Sequence, residues 1–380
     1  MRKKRTGVSM EAILLLAFIA ASLILLIKMN QETASLRQRV QLLLEEKLQM
    51  TEAMAKQGQA IEALEQELEE YKNPKGGVTY HGALSVRQGQ LVDQRGEAVQ
   101  LRGVSSHGIL WYPQYGNFRS LHTLREKGAN VFRIAMYTTE GRGYDQYPQE
   151  ALLALRTTLE NVLGADMYAI VDWHVLKEEN PNVYLKEALE FFDTISSLYG
   201  DEPGIIYEIC NEPNGDTSWD DIKAYAQQVI PVIRKNAPRA VILVGTPNFS
   251  TRIEDAIQDP LDFDHILYTY HFYADYSQGG YSRRLNSAKE KGLGIFVSEW
   301  GLASEYDQDK LQKLTATCDE FLDYLDETKT SWVCWSLSNK EEGHALLNPD
   351  TLSWSGWREE ELTAYGKFVF DRLRKGGDVK

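Results

Sequence analysis

Cysteine is scarce: Cys210, Cys318 and Cys334 are the only three in 380 residues. So odd and sparse a set does not build a disulfide framework. No CxxC pair occurs, which removes a structural zinc site of the usual spacing. Cys210 and Cys334 fall inside apolar runs and read as buried thiols acting as small hydrophobes. Positive charge is also in short supply. Lysine and arginine number 41 against 55 acidic residues, a net charge of −14, and so acidic a body excludes a nucleic-acid partner. No glycine-rich phosphate loop follows the first strand-like run, which argues against a doubly wound nucleotide-binding sheet. With 43% hydrophobic and 25% charged residues the composition is that of a globular protein, and the length allows a barrel-sized core with appendages.

The first segment departs from that acidic trend. Arg2, Lys3, Lys4 and Arg5 precede Ala12–Ile27, a 16-residue run without a charge. A bilayer needs about 20 residues, and flanking Glu11 and Lys28 extend the run by snorkelling. Positive charge stays cytoplasmic, so residues 1–28 read as a basic tail and single-pass signal anchor in the cell membrane, with the rest of the chain extracellular. The alternative is a cleaved signal peptide and a secreted product, but no small-x-small cleavage site is evident. Residues 29–75 follow as a stalk. Leu36, Val40, Leu43, Met50, Met54, Ile61, Leu64, Leu68 and Tyr71 fall on alternating steps of four and three, with Lys47 and Gln57 as polar interruptions. That is a coiled-coil seam suited to a homo-oligomer; the competing reading is one amphipathic helix lying on the membrane or on the barrel. Asn73-Pro74-Lys75-Gly76-Gly77 breaks the tract.

Residues 76–380 alternate short β-rich runs with helical stretches such as Gln149–Asn161 and Trp219–Ala237. The strand candidates are Gln100–Ser105, Asn130–Met136, Tyr168–His174, Gly204–Asn211, Ala240–Thr246, Ile266–Tyr273, Gly294–Trp300 and Ser331–Ser338. Eight such runs make an α/β fold, a (β/α)8 TIM barrel. Residues Ala83–Leu101, with Arg95-Gly96 between alternating stretches, read as a hairpin closing the barrel bottom.

In this architecture the C-terminal strand ends carry the chemistry. They read Ser105-Ser106-His107-Gly108, Arg133, Asp172-Trp173-His174, Asn211-Glu212-Pro213, His271-Phe272-Tyr273, Ser298-Glu299-Trp300-Gly301, and Trp335 with Ser338-Asn339-Lys340. Glu212 and Glu299, on the fourth and seventh strands, face each other across the mouth. A retaining glycosidase needs two such carboxyls, one to attack the anomeric carbon and one to protonate the leaving oxygen. Arg133 can hold one of them ionised. Each glutamate alone reads equally well as a rim salt bridge. Trp111, Trp173, Trp300 and Trp335 lie near the expected mouth, where indole faces suit pyranose rings, whereas Trp332 within its strand reads as core.

Taken in order, these segments, together with Ala129-Asn130-Val131-Phe132-Arg133 and Tyr207-Glu208-Ile209-Cys210-Asn211-Glu212-Pro213-Asn214, make the chain from about Val78 to Arg374 resemble glycoside hydrolase family 5, in its bacterial cellulase branch. The resemblance implies Glu212 as acid/base and Glu299 as nucleophile. Asn211 would bond the sugar 2-hydroxyl, Arg133 and Tyr273 would orient Glu299, and His271 would assist Glu212. His107, Trp111, His174 and Trp335 would line the glycone subsites, with Lys340 and Glu342 binding hydroxyls. It implies an endo-β-1,4-glucanase acting on β-glucan by double displacement, with no metal or organic cofactor. A visible carbohydrate-binding module is absent, which points away from bulk crystalline cellulose. Three alternatives stand beside this. The site can serve mixed-linkage glucan, xyloglucan or mannan, it can transglycosylate, or the chain can be a non-catalytic glycan-binding wall protein.

Overall fold

The computed structural model describes residues 10–72, 76–276, 279–302 and 308–376. The Arg2–Arg5 cluster and the Asn73–Lys75 breaker lie outside the described residues. The chain divides into two compact units, Met1–Lys72 and Asn73–Lys380.

In the first unit the apolar run and the seam share one uninterrupted helix, Met10–Lys72, of 63 residues. At 1.5 Å per residue it is ~95 Å long. It contains an 18-residue window of mean hydropathy 2.4, enough by length and composition to cross a membrane. Leu36, Val40, Leu43, Met50, Met54, Ile61 and Leu64 are all exposed on it.

The second unit is an eight-stranded closed parallel barrel. A hairpin, β1 (Ser85–Arg87) and β2 (Gln90–Val92), precedes it. The barrel strands are β3 (Arg102–Ser106), β4 (Val131–Tyr137), β5 (Tyr168–His174), β6 (Ile205–Glu208), β7 (Val241–Val244), β8 (Ile266–Tyr273), β9 (Ile295–Gly301) and β10 (Ser331–Leu337). β10 closes the ring against β3. The expected helices are present as Pro148–Gly164 and Trp219–Asn236. Ser218 starts the latter with a capping box to Asp221, satisfying amide hydrogens the first turn leaves unpaired. Its buried Ile222, Tyr225, Ala226, Val229, Ile230 and Ile233 recur at helical spacing and form the face laid on the barrel.

Strand alternation then sorts every side chain. On β4, Phe132, Ile134 and Met136 point out into the helix–sheet core, while Val131 joins the inner layer. That inner layer includes Leu101, Tyr168, Ile170, Ile206, Leu243, Leu267, Phe296 and Val333, with Leu84, Leu91 and Val99 packed on it from the hairpin region. The hairpin turn is Gln88-Gly89, both at positive φ as a two-residue turn requires, rather than Arg95-Gly96. Gly96 instead serves a second reversal, where Val92 bridges Ala98. Alternation also corrects two tryptophans. Trp173 and Trp300 neighbour inward-facing His174 and Glu299, so they point outward and are sealed in the helix–sheet core, Trp173 against Phe191 and Trp300 against Trp332. All three cysteines are buried free thiols.

Two strands break the alternation near the mouth. Thr269 pairs with Phe296 but His271 with Glu299, so β9 carries one extra residue. A bulge of this kind re-aims side chains, and here Ser298 and Glu299 both reach into the barrel. β10 carries another between Cys334 and Leu337, where the Trp335–Ser336 peptide is cis.

Gly245 follows β7 and holds the Asn211–Glu212 segment close. A Cβ there would lie 2.4 Å from the Cys210 carbonyl oxygen and 3.0 Å from that of Asn211. Those are backbone atoms that cannot swing away. Gly245→Ala is expected to destabilise the barrel by about 1–3 kcal/mol in urea unfolding; an unchanged midpoint would contradict this tight approach.

Candidate active site

The centre of the site is Arg133, midway along β4 and fully buried. Its Nε donates to Glu208 at 2.6 Å, Nη1 to Glu299 at 3.1 Å and Nη2 to Asn211 Oδ1 at 2.6 Å, with Asp172 3.1 Å from Nη2. Each partner comes from a different position on β5, β6, β9 or the turn after β6. One cation thereby ties four segments of the barrel mouth together.

Glu299 accepts on both oxygens, from Arg133 and from the Tyr273 hydroxyl at 2.6 Å. Glu212, partly open to the cleft, has a different environment. Its Oε1 lies 2.7 Å from His271 Nδ1. Burial pushes the Glu212 carboxyl up to about 8, against the pull of Arg133 and with Asp172 and Glu208 adding to the rise. Burial pushes His271 down to about 4, so the ring is neutral at ordinary pH. The two glutamates therefore sit in one site with opposite partners, a cation and a phenol for one and a neutral imidazole for the other. Burial also raises Asp172 to about 7, with Arg133 opposing.

A donor atom each from Glu212, His271 and Glu299 lies within 4.8 Å of the others. This is metal-ligand spacing, yet Arg133 already supplies the positive charge here.

On one side of the pair, aromatic rings interlock. Tyr137 lies 4.5 Å from Trp111 and 4.1 Å from His174, centroid to centroid, and His174 stacks on Trp335 at 5.4 Å. His107 contacts both Trp111 and Trp335. Lys340 pairs with Glu342 at 2.6 Å and lies 3.2 Å from His107 Nε2. Burial drives His107 down to about 3, and Glu342 is held at about 2 because its bonds to His344 and Lys340 outweigh burial. On the other side opens a cleft of about 800 Å³ lined by Glu212, Glu299, Phe249, Tyr276 and Arg252 among others.

Every site residue expected from sequence is thus in this neighbourhood: Arg133, Asn211, Glu212, His271, Tyr273 and Glu299 at the centre, and His107, Trp111, His174, Trp335, Lys340 and Glu342 on the aromatic side. Asn211 has both amide hydrogens engaged, with Val175 O at 3.2 Å and His174 Nε2 at 3.3 Å. Sequence reasoning passed over Glu208, Ser298 and Tyr137. Stepping by two from Arg133 reaches Tyr137, so strand period alone contained that signal. Ser298 is two residues after inward-facing Phe296, so strand period contained it too; it is Glu299, one position further, that faces inward only because of the β9 bulge.

Comparison with known proteins gives the same picture. Residues 92–341 match the family Cellulase (glycosyl hydrolase family 5). The chain is 41% identical to Endoglucanase A of Butyrivibrio fibrisolvens over 300 residues, covering 77% of this chain and 69% of that one. It is 39% identical to Endoglucanase of Clostridium saccharobutylicum over 306 residues, 79% of this chain and 66% of that one. These matches therefore span about two thirds of the relatives' length. The catalytic domain of Thermobifida fusca endoglucanase Cel5A superposes with a TM-score of 0.73 at 32% identity, covering 78% of this chain and 99% of that domain. The barrel, the strand-end motifs and these matches converge: the chain belongs to the cellulase family, glycoside hydrolase family 5.

Proposed function

We propose that the protein is a membrane-tethered endo-β-1,4-glucanase that cleaves β-glucan with retention of configuration. The observation that carries the reading is the carboxyl pair. Oxygens of Glu212 and Glu299 approach within 4.8 Å. A retaining site places its carboxyl groups about 5–5.5 Å apart, whereas an inverting one leaves about 6.5–9.5 Å for a water.

The roles follow from the partners. Glu299 attacks the anomeric carbon while Glu212 passes its proton to the departing glycosidic oxygen, giving a glycosyl ester on Glu299 and a free chain end. Glu212, now ionised, takes a proton from water, and that water releases the sugar from Glu299. Arg133 and Tyr273 aim Glu299, and His271 aims Glu212. Asn211 reaches the 2-hydroxyl by exchanging its longer contact, to His174, for the sugar. Trp111, His107, His174 and Trp335 offer faces to glycone rings, and Lys340 with Glu342 offers charged partners for their hydroxyls. The open cleft on the far side admits a continuing chain, as internal cleavage requires. Relatives named endoglucanases support β-1,4-glucan as the substrate.

The helix Met10–Lys72 supports the tether. Its apolar window follows a basic N-terminal cluster, which sets the catalytic unit outside the cell. The exposed seam Leu36–Leu64 suits pairing with copies of itself.

Proton NMR of cellotetraose hydrolysis is expected to show β-anomer first, with α-anomer arising only by mutarotation; α-anomer as the initial product would exclude this mechanism. Glu299→Gln should lower kcat by about 10³-fold or more while circular dichroism stays unchanged. The Glu212 carboxyl must be protonated for the first step and is pushed up to about 8. Hence kcat/KM should hold through neutral pH and fall by about tenfold per unit as pH rises past that value. A fall beginning near pH 5 would count against the assignment. In cell fractionation the full-length chain should pellet with membranes and resist high-salt extraction; release into the medium would point to a cleaved leader.

A further inference from the structure

Glu208 and Ser298 are buried polar side chains that the mechanism above leaves without a part. Glu208 points inward from β6, two residues after Ile206, and Ser298 points inward from β9, two residues after Phe296. Between them they complete a chain of directed hydrogen bonds. Ser298 Oγ lies 2.7 Å from Glu208 Oε1, His271 Nε2 lies 3.0 Å from Ser298 Oγ, and His271 Nδ1 lies 2.7 Å from Glu212 Oε1. The other Glu208 oxygen accepts from Arg133 Nε at 2.6 Å.

The polarity of the chain follows from counting hydrogens. A carboxylate held by a guanidinium is an acceptor, and Ser298 has one hydroxyl hydrogen to give it. Ser298 can then only accept from His271, so His271 carries its hydrogen on Nε2. A neutral ring protonated on Nε2 presents a bare lone pair at Nδ1. The short contact to Glu212 then needs the proton on Glu212. We propose that Glu208 and Ser298 are positioning residues that fix the tautomer of His271 and so hold Glu212 in its protonated, donating form. This rests on Glu212 being the acid/base.

The surrounding charges are consistent with that polarity. Arg133 on β4 and Asp172 on β5 flank Glu208, while Glu299 on β9, Tyr273 on β8 and His174 on β5 flank His271 and Glu212. Burial pushes Glu208 up and the Arg133 pair opposes it. The opposite polarity would need a proton on Glu208 against the guanidinium, and would set an Nδ1 hydrogen against an ionised Glu212. It would leave the enzyme without its acid.

The direct test is nitrogen NMR of the 15N-histidine-labelled full-length chain in detergent. His271 should be the Nε2–H tautomer at neutral pH; an Nδ1–H tautomer or an imidazolium would overturn the proposal whatever the variants do. Ser298→Ala frees the ring to turn its hydrogen toward Glu212. The alkaline limb of kcat/KM should then move down by about one pH unit. Activity should fall about tenfold on cellotetraose and far less on 2,4-dinitrophenyl β-cellobioside, whose leaving group needs no proton. Ser298→Thr should restore both. Equal losses on the two substrates with an unmoved limb, or full activity in Ser298→Ala, would make Ser298 merely structural. Glu212→Gln is the control for the underlying reading. If its kcat/KM, which reports the glycosylation step alone, falls equally on both substrates, the acid/base assignment itself fails; if it spares kcat/KM on the activated substrate, a failure in Ser298→Ala belongs to the relay alone.

Discussion

A guanidinium sealed from water has to be matched by acceptors, and Arg133 is matched by Glu208, Glu299, Asn211 and Asp172. The barrel exists around that requirement. Asp172, Glu208 and Glu299 occupy inward strand positions where alternation would otherwise place packing residues, Asn211 reaches in from the turn after β6, and each meets the guanidinium at 2.6–3.1 Å. Removing one acceptor leaves part of a buried charge uncompensated, a loss of about 3–5 kcal/mol in comparable pairs. The same cation also divides the labour between two chemically identical glutamates. Glu299 touches it directly. Glu212 does not, meets a neutral imidazole instead, and is pushed up to about 8 by burial. In the proposed mechanism, position relative to one arginine is what separates nucleophile from acid.

Much of this was legible beforehand, and the reason is the period of a β-strand. Inward polar residues toward the C-terminal ends of the strands have one destination in a parallel barrel, so Arg133, His174, Glu212, His271 and Glu299 could be collected from five of the eight runs. The failures came where period was not followed through or where it breaks. Trp173 and Trp300 looked like mouth residues because they adjoin His174 and Glu299, but an adjacent residue on a regular strand faces the other way, and both are core. Gln88-Gly89 rather than Arg95-Gly96 turns the hairpin because both of its residues adopt positive φ, which Gln rarely signals. Glu208 was hidden in an otherwise apolar segment, and its purpose appears only when Arg133 and Ser298 arrive from β4 and β9. A bulge of one residue, invisible in the sequence, decides that Ser298 and Glu299 can both serve the site.

The N-terminal helix obeys a different rule. Its first part is apolar on every side and its later part carries the four-three spacing, and the proposed anchor and stalk rest on that composition and spacing alone. On the proposed reading, its apolar part anchors the hydrolase in the membrane and residues 29–72 form the stalk.

The central claim is that Glu299, held by Arg133 and Tyr273, forms the covalent bond to the anomeric carbon as the glycosidic bond breaks. The most direct measurement is trapping with 2,4-dinitrophenyl 2-deoxy-2-fluoro-β-cellobioside, followed by peptide mass spectrometry. The account predicts one fluorocellobiosyl group per chain, esterified to Glu299. Attachment to Glu212, or release of dinitrophenol with no covalent adduct at any time, would contradict it.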